Sequence, residues 1–117
     1  MSGWPTELRV DREKRMLTVS FDTGESFVLP AEYLRVESPS AEVQGHGASQ
    51  RQTVTGKRRI KIEAVEPVGN YAARIRFDDG HDTGLYSWDY LYELGRDQDR
   101  KWADYLSALR RIGGKRE

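Results

Sequence analysis

The sequence predicts an α+β domain with antiparallel strands in two quasi-repeated hairpin units. Each unit ends in a short helical segment, and an amphipathic helix closes the chain. Three observations predict this. Phe21-Asp22-Thr23-Gly24 leads, after one strand, to Tyr33-Leu34. Phe77-Asp78-Asp79-Gly80 leads, after another, to Tyr90-Leu91, so the chain echoes itself. Near the C-terminus, Trp102, Leu106, Leu109 and Ile112 recur at helical spacing. An Asp-rich turn closing on Gly suits a hairpin loop. Two copies make a pair of related units rather than a solenoid.

In the first unit, Leu8 and Val10 share one strand parity and Leu17, Val19 and Phe21 share another, so each set can face a core. The polar Asp11-Arg12-Glu13-Lys14-Arg15 connects them as a hairpin loop. Phe27-Val28-Leu29 forms a third strand, and Pro30 opens the helical turn carrying Tyr33 and Leu34, where its missing N–H costs nothing.

In the second unit, a turn at Glu66-Pro67-Val68-Gly69-Asn70 flanked by Val65 and Ala72 would pair Ile62 with Ile75, Ile60 with Phe77 and Ala64 with Ala73 on one face. The same register sets Glu63 opposite Arg74 and Arg59 opposite Asp78 on the other. Trp88 and Leu91 share a helical face and belong inside, whereas Tyr86 and Tyr92 are the candidates for exposure. The last helix spans about residues 97–112, capped by Asp97 or Asp99, with Tyr105 beside its apolar stripe. It is expected to pack on the sheet. Gly113-Gly114 ends it, and Lys115-Arg116-Glu117 reads as a frayed tail.

The chain has 117 residues, which suits a single domain over 1–117. Its 19 basic and 19 acidic residues cancel, so a global attraction to nucleic acid or an anionic membrane is disfavoured. It has no cysteine, which excludes disulfides and thiolate metal sites. No apolar run approaches a membrane span, and a cytoplasmic location is expected. Phosphate-cradling, dinucleotide and nucleophile-elbow motifs are all lacking, so an enzyme is the least favoured class.

Val68-Gly69-Asn70-Tyr71, followed by Asp79-Gly80-His81-Asp82-Thr83-Gly84-Leu85-Tyr86-Ser87-Trp88, closely resembles the signature of the DUF971 family. That family is also the N-terminal domain of gamma-butyrobetaine hydroxylase-like proteins. The resemblance covers about residues 8–94. It implies that the histidine of Gly-His-Asp joins three upstream cysteines in binding a metal such as zinc. Aligning Leu34-Arg35 with the family's leucine-arginine pair puts Ser38, Ser40 and Val43 at the thiolate positions, leaving His81 alone at the fourth. Hydroxyls are poor zinc ligands and valine is none, so this member reads as having lost the site. His81 would then hydrogen-bond to Ser38 or Ser40, joining two segments without metal. The long polar loop from Ser38 to Gly56 starts where the cysteines should be.

His81-Asp82 does not make a facial iron triad, because adjacent residues on a strand point to opposite faces. The resemblance covers only the N-terminal accessory domain of the hydroxylase, so hydroxylase activity does not carry over. The resemblance extends to domains fused to hydroxylases and to iron-sulfur cluster carriers, which implies a role near metal-cofactor or enzyme assembly. The leading expectation is a non-enzymatic accessory or protein-interaction module without a cofactor, acting on an unidentified protein partner through the long loop, His81 and exposed tyrosines. A first alternative is a zinc or iron site recruited from His81 and His46, with Asp82 or Glu42. A second is polyanion binding through a basic face of Lys57, Arg59, Lys61, Arg74 and Arg76, on which Glu63 and Asp78 intrude.

Overall fold

The computed structural model describes residues 3–40, 43 and 53–117. The first unit is β1 (Pro5–Val10), β2 (Met16–Phe21), β3 (Ser26–Pro30) and α1 (Ala31–Val36). The second is β4 (Ile62–Val68), β5 (Ala72–Phe77), β6 (Leu85–Ser87) and α2 (Trp88–Arg96), and α3 (Gln98–Arg111) follows. Each unit forms its own three-stranded antiparallel sheet, ordered β1-β2-β3 and β4-β5-β6. The expected α+β class and paired units are both present.

The internal echo is also an echo in backbone geometry. At the β2–β3 turn the Phe21 N–H donates to the Glu25 carbonyl (2.9 Å) and Gly24 N–H to the Phe21 carbonyl (3.0 Å). At the β5–β6 turn Phe77 N–H donates to His81 (3.0 Å) and Gly80 N–H to Phe77 (3.0 Å). Gly24 and Gly80 stand at φ 92° and 89°, a conformation that side chains resist. This places His81 at the position matching Glu25.

The two units share one core. Leu17, Val19, Phe21, Leu29, Tyr33 and Leu34 from the first unit pack with Ile60, Ile62, Ile75, Phe77, Tyr86, Leu91 and Leu94 from the second. Strand alternation carries this: in β2, Leu17, Val19 and Phe21 are buried while Thr18 and Ser20 are less so. Helix α2 crosses onto the first unit, where the Phe27 ring lies 2.2 Å from the place a Cβ on Gly95 would occupy. Only glycine permits that approach.

Several expectations are corrected. Strand β4 continues through Pro67 to Val68, so Val65 pairs with Ile75, Glu66 with Arg74 and Val68 with Ala72. Pro67 is tolerated because β4 is an edge strand, where a missing N–H breaks no ladder. A register irregularity between Ile62 and Ala64 then returns Ile62 to the core face opposite Phe77. The ion pairs follow the true register: Arg74 meets Glu66 (3.2 Å), Arg76 meets Glu63 (3.5 Å), and Arg59 reaches Glu117 (3.8 Å).

Helix α3 buries Tyr105 and Leu109 against Val36 of α1, with Val54, Trp102 and Leu106 around them, rather than lying mainly on a sheet. Ile112 caps the helix and is 57% exposed, outside the apolar stripe. Asp97 makes no side-chain cap bond, and its carboxylate instead takes Arg96 (2.9 Å) and Arg100 (3.3 Å). The expected frayed tail is docked. Gly56 and Arg58 N–H groups donate to the Lys115 and Arg116 carbonyls (2.9 Å each), while the Arg116 guanidinium grips the buried Glu32 carboxylate at 2.9 and 2.7 Å. Among the described residues no helix is long and apolar enough to cross a membrane.

Candidate functional site

His81 is placed by the turn that precedes it. Its N–H donates to Asp79 Oδ1 (3.1 Å), its carbonyl receives Phe77 N–H, and its ring lies 6.2 Å from the Phe77 ring. That leaves Nε2 2.9 Å from Ser38 Oγ, with the residue only 7% exposed. Ser38 is fully buried, and its oxygen also accepts the Ser40 N–H at 3.3 Å. The expected histidine–serine hydrogen bond is therefore present, and Ser38 rather than Ser40 makes it.

The pocket around this bond is tightly built. A Cβ on Gly84 would sit 2.5 Å from Ser38 Oγ and 3.2 Å from the Tyr86 ring. Tyr86, expected to be exposed, is 0% exposed and donates its hydroxyl to the Leu34 carbonyl at 2.6 Å. It faces inward because β6 pairs it with the fully buried Ala73. Burial pushes its phenol well above the usual range, although a hydrogen bond with Ser38 works the other way. Among the described residues, Ser40 Oγ and Arg35 Nη1 are buried with no hydrogen-bond partner. Val43 is buried, and His46 lies outside the described residues.

Asp79 anchors one edge of this region. It receives Lys57 Nζ at 2.6 Å and Arg35 Nε at 3.0 Å as well as the His81 N–H. Burial alone would raise its pKa, but the hydrogen bonds from Lys57, the His81 backbone and Arg35 outweigh it and hold the carboxyl at about 2, below the ordinary 3.8.

The proposed basic face is not continuous. Residues 57–61 are not strand, so the parity that aligned Lys57, Arg59 and Lys61 does not apply, and Lys57 turns inward to Asp79. Arg59 and Lys61 are exposed, while Arg74 and Arg76 are engaged by acids on the neighbouring strand. Tyr92 is half-buried, its ring edge-on to Phe21 and Phe27 and its hydroxyl donating to Glu25 Oε1 at 2.5 Å. That hydrogen bond raises its pKa. Tyr92 is a tether between the units.

A different surface emerges where three aromatic residues meet. Trp4, Tyr71 and Trp88, with Asn70, Ser87 and Asp89, line an open cleft of about 350 Å³. Trp4 is 54% and Tyr71 55% exposed. Trp88, expected inside, is only half-buried. All three are fixed by backbone bonds: Trp4 N–H to Asp22 Oδ1 (3.1 Å) and Asp22 N–H to the Trp4 carbonyl (2.9 Å), Trp88 N–H to the Tyr71 carbonyl (3.0 Å), and the Trp88 indole N–H to the Asn70 carbonyl (2.8 Å). Tyr71 also lies over Gly69, whose φ is 55° and where a Cβ would be 3.0 Å from the ring. The proximity of Tyr71 and Trp88 in the signature was the available signal; Trp4, ahead of the first strand, gave none.

Comparison with protein families returned a match over residues 8–92 to the model described as gamma-butyrobetaine hydroxylase-like, N-terminal. The chain belongs to that family. Two protein structures solved in solution by NMR are similar along nearly the whole length. One is 45% identical, covering 100% of this chain and 92% of the other at a TM-score of 0.86. The second is 50% identical, covering 98% and 86% at 0.84. A crystal structure of a DUF971 protein of unknown function from Acidithiobacillus ferrooxidans is 38% identical over 78% of this chain and 91% of that one, with a TM-score of 0.65. No curated protein matches.

Within the gamma-butyrobetaine hydroxylase-like N-terminal family, the resemblance implies a metal at the position where this member has Ser38, Ser40, Val43 and His81. These residues do not fit one. They offer one imidazole nitrogen and two neutral hydroxyls, whereas a structural zinc site takes four nitrogen or sulfur ligands. Among the described residues, no group of three or more His, Cys, Asp or Glu side chains converges on a point that could hold a metal ion.

Proposed function

We propose that this family member is a non-enzymatic accessory module that works through protein–protein contact, with the Trp4–Tyr71–Trp88 cleft as its contact surface. One observation carries the reading: Trp4, Tyr71 and Trp88 line a surface cleft, the first two largely exposed, with the Trp88 indole held by the Asn70 carbonyl and the main chains of Trp4 and Tyr71 held by hydrogen bonds. Ordered, exposed Trp and Tyr lose little conformational freedom on binding and supply large apolar area, which is why they anchor interfaces. The Ser38–His81 hydrogen bond supports the same reading from the other side, because it gives the family's histidine a structural task in a metal-independent tie. A polyanion site is less well supported, since Glu63 and Glu66 engage the arginines of the basic face. A cytoplasmic location belongs to this proposal.

The test is a photo-crosslinking amino acid placed at Tyr71 in the host cell, with the same probe at exposed Arg59 as the comparison. A defined protein adduct at Tyr71 and none at Arg59 is expected. Adducts at Arg59 alone, or none at either position, would overturn the assignment of the cleft. Elemental analysis of untagged protein addresses the metal alternative, and a stoichiometric metal would overturn the metal-independent tie.

A further inference from the structure

We propose that the cleft takes an arginine side chain of the partner protein, its guanidinium stacked on the indole and phenol faces and turned toward the Asp89 carboxylate. This rests on the interaction reading and names the chemistry the partner must present. Charge complementarity carries it. Of the described residues lining the cleft, Asp89 is the one that bears a charge, and that charge is negative. It stands exposed in the first turn of α2 while also making a contact within the chain. The remaining lining residues are the aromatic Trp4, Tyr71 and Trp88, whose ring quadrupoles attract a cation, together with Gly3, Asn70 and Ser87.

The choice of arginine over lysine follows from shape. A planar guanidinium stacks on an indole or phenol and directs several N–H donors at one carboxylate, and it is less strongly hydrated than an ammonium. The cleft is prepared for such a group before it arrives. The main chain of Trp4 is pinned at both its N–H and its carbonyl by Asp22, and the Trp88 indole N–H is already spent on the Asn70 carbonyl. A polar ligand aimed at that indole N–H would find it occupied.

The experiment is an NMR titration of the full chain with three blocked tripeptides carrying arginine, citrulline or leucine between glycines. It follows the indole N–H resonances of Trp4 and Trp88. Arginine should give saturable shifts at these two indoles with an affinity roughly fivefold or more above citrulline, its neutral isostere. Asp89→Asn should reduce the arginine affinity toward the citrulline value, and Trp4→Ala, at an exposed position, should abolish the Trp88 shift while the rest of the spectrum stays folded. Equal binding of citrulline or leucine would overturn the arginine assignment but leave an apolar contact surface. Arginine shifts that map outside the cleft, or no saturable shift with any peptide, would also overturn it; the interaction reading then stands or falls on the crosslink at Tyr71.

Discussion

Tyr33 and Tyr90 occupy matching places in the two units, and each donates its hydroxyl into the helical segment of the other. The Tyr33 hydroxyl meets the Leu94 carbonyl at 2.7 Å and the Tyr90 hydroxyl meets the Glu37 carbonyl at 2.5 Å. The two units are thus joined by a reciprocal pair of bonds near their helix ends, where carbonyls lack intrahelical partners. Phenylalanine at position 33 would keep the ring but leave the Leu94 carbonyl buried without this donor. Tyr33→Phe should therefore lower stability by about 1–2 kcal/mol, with a smaller loss for the less buried Tyr90→Phe. Urea denaturation measures both, and a midpoint unchanged from the parent in Tyr33→Phe would show that the bond contributes nothing.

Asp79 gives the fold an acid-sensitive element. Its pKa in the folded state is depressed from 3.8 to about 2, so its contribution is fully present above 3.8 and fades as the pH falls toward 2. Because the carboxylate is partly exposed and its ion pairs are screened by solvent, the shift corresponds to about 1 kcal/mol at neutral pH. Asp79→Asn should be less stable than the parent at pH 7, with the gap closing across that acid window. A gap that stayed constant down to the acid limit would mean that Lys57 and Arg35 do not act on this carboxylate.

How far the sequence reached is visible at particular residues. The hairpin turns were legible because Asp and Gly at Asp22–Gly24 and Asp78–Gly80 have local conformational reasons to be there. The Ser38–His81 contact was legible only through the family resemblance, since 43 positions separate the partners. The β4–β5 register misled because Pro67 looks like a turn residue until β4 is known to be an edge. Contacts between units had no sequence signal at all: Gly95 against Phe27 and Tyr92 against Glu25 depend on how the two sheets are brought together. Arg116 looked like part of a loose tail for the same reason, as its partner Glu32 lies 84 positions away.

That tail makes a third prediction. Arg116 holds Glu32 through two hydrogen bonds and lies 5.3 Å over the Trp102 ring, while the Glu32 side chain is only 8% exposed. Removing the guanidinium would leave a buried carboxylate without its partner. Arg116→Met should cost about 1–3 kcal/mol, and adding Glu32→Gln should recover part of the loss because the stranded charge is gone. Chemical denaturation of the two variants checks this. If the double variant were less stable than the single by the full cost of a second independent lesion, the pair would not be coupled.

The last prediction concerns the residues at the family's metal position. Ser38 Oγ and His81 Nε2 are 2.9 Å apart, whereas sulfur and nitrogen ligands on one tetrahedral zinc are separated by roughly 3.5 Å, so the two segments need part only slightly to admit an ion. Ser38, Ser40 and Val43 are all buried. Replacing Ser38, Ser40 and Val43 together by cysteine should convert the hydrogen-bonded tie into a thiolate site that binds cobalt(II) one to one, with the intense visible bands of tetrahedral coordination, and that binds zinc more tightly still. Metal binding should then raise the thermal midpoint of the variant, because an ion that binds only the folded form stabilises it by mass action. The parent chain should show neither the bands nor the shift. His81→Ala in the triple-cysteine background should weaken the cobalt spectrum, leaving three sulfur ligands. A triple-cysteine protein that folds yet binds cobalt no better than the parent would mean that the backbone around Ser38–Val43 has diverged from a ligand geometry, and that the serine–histidine tie replaced more than the side chains.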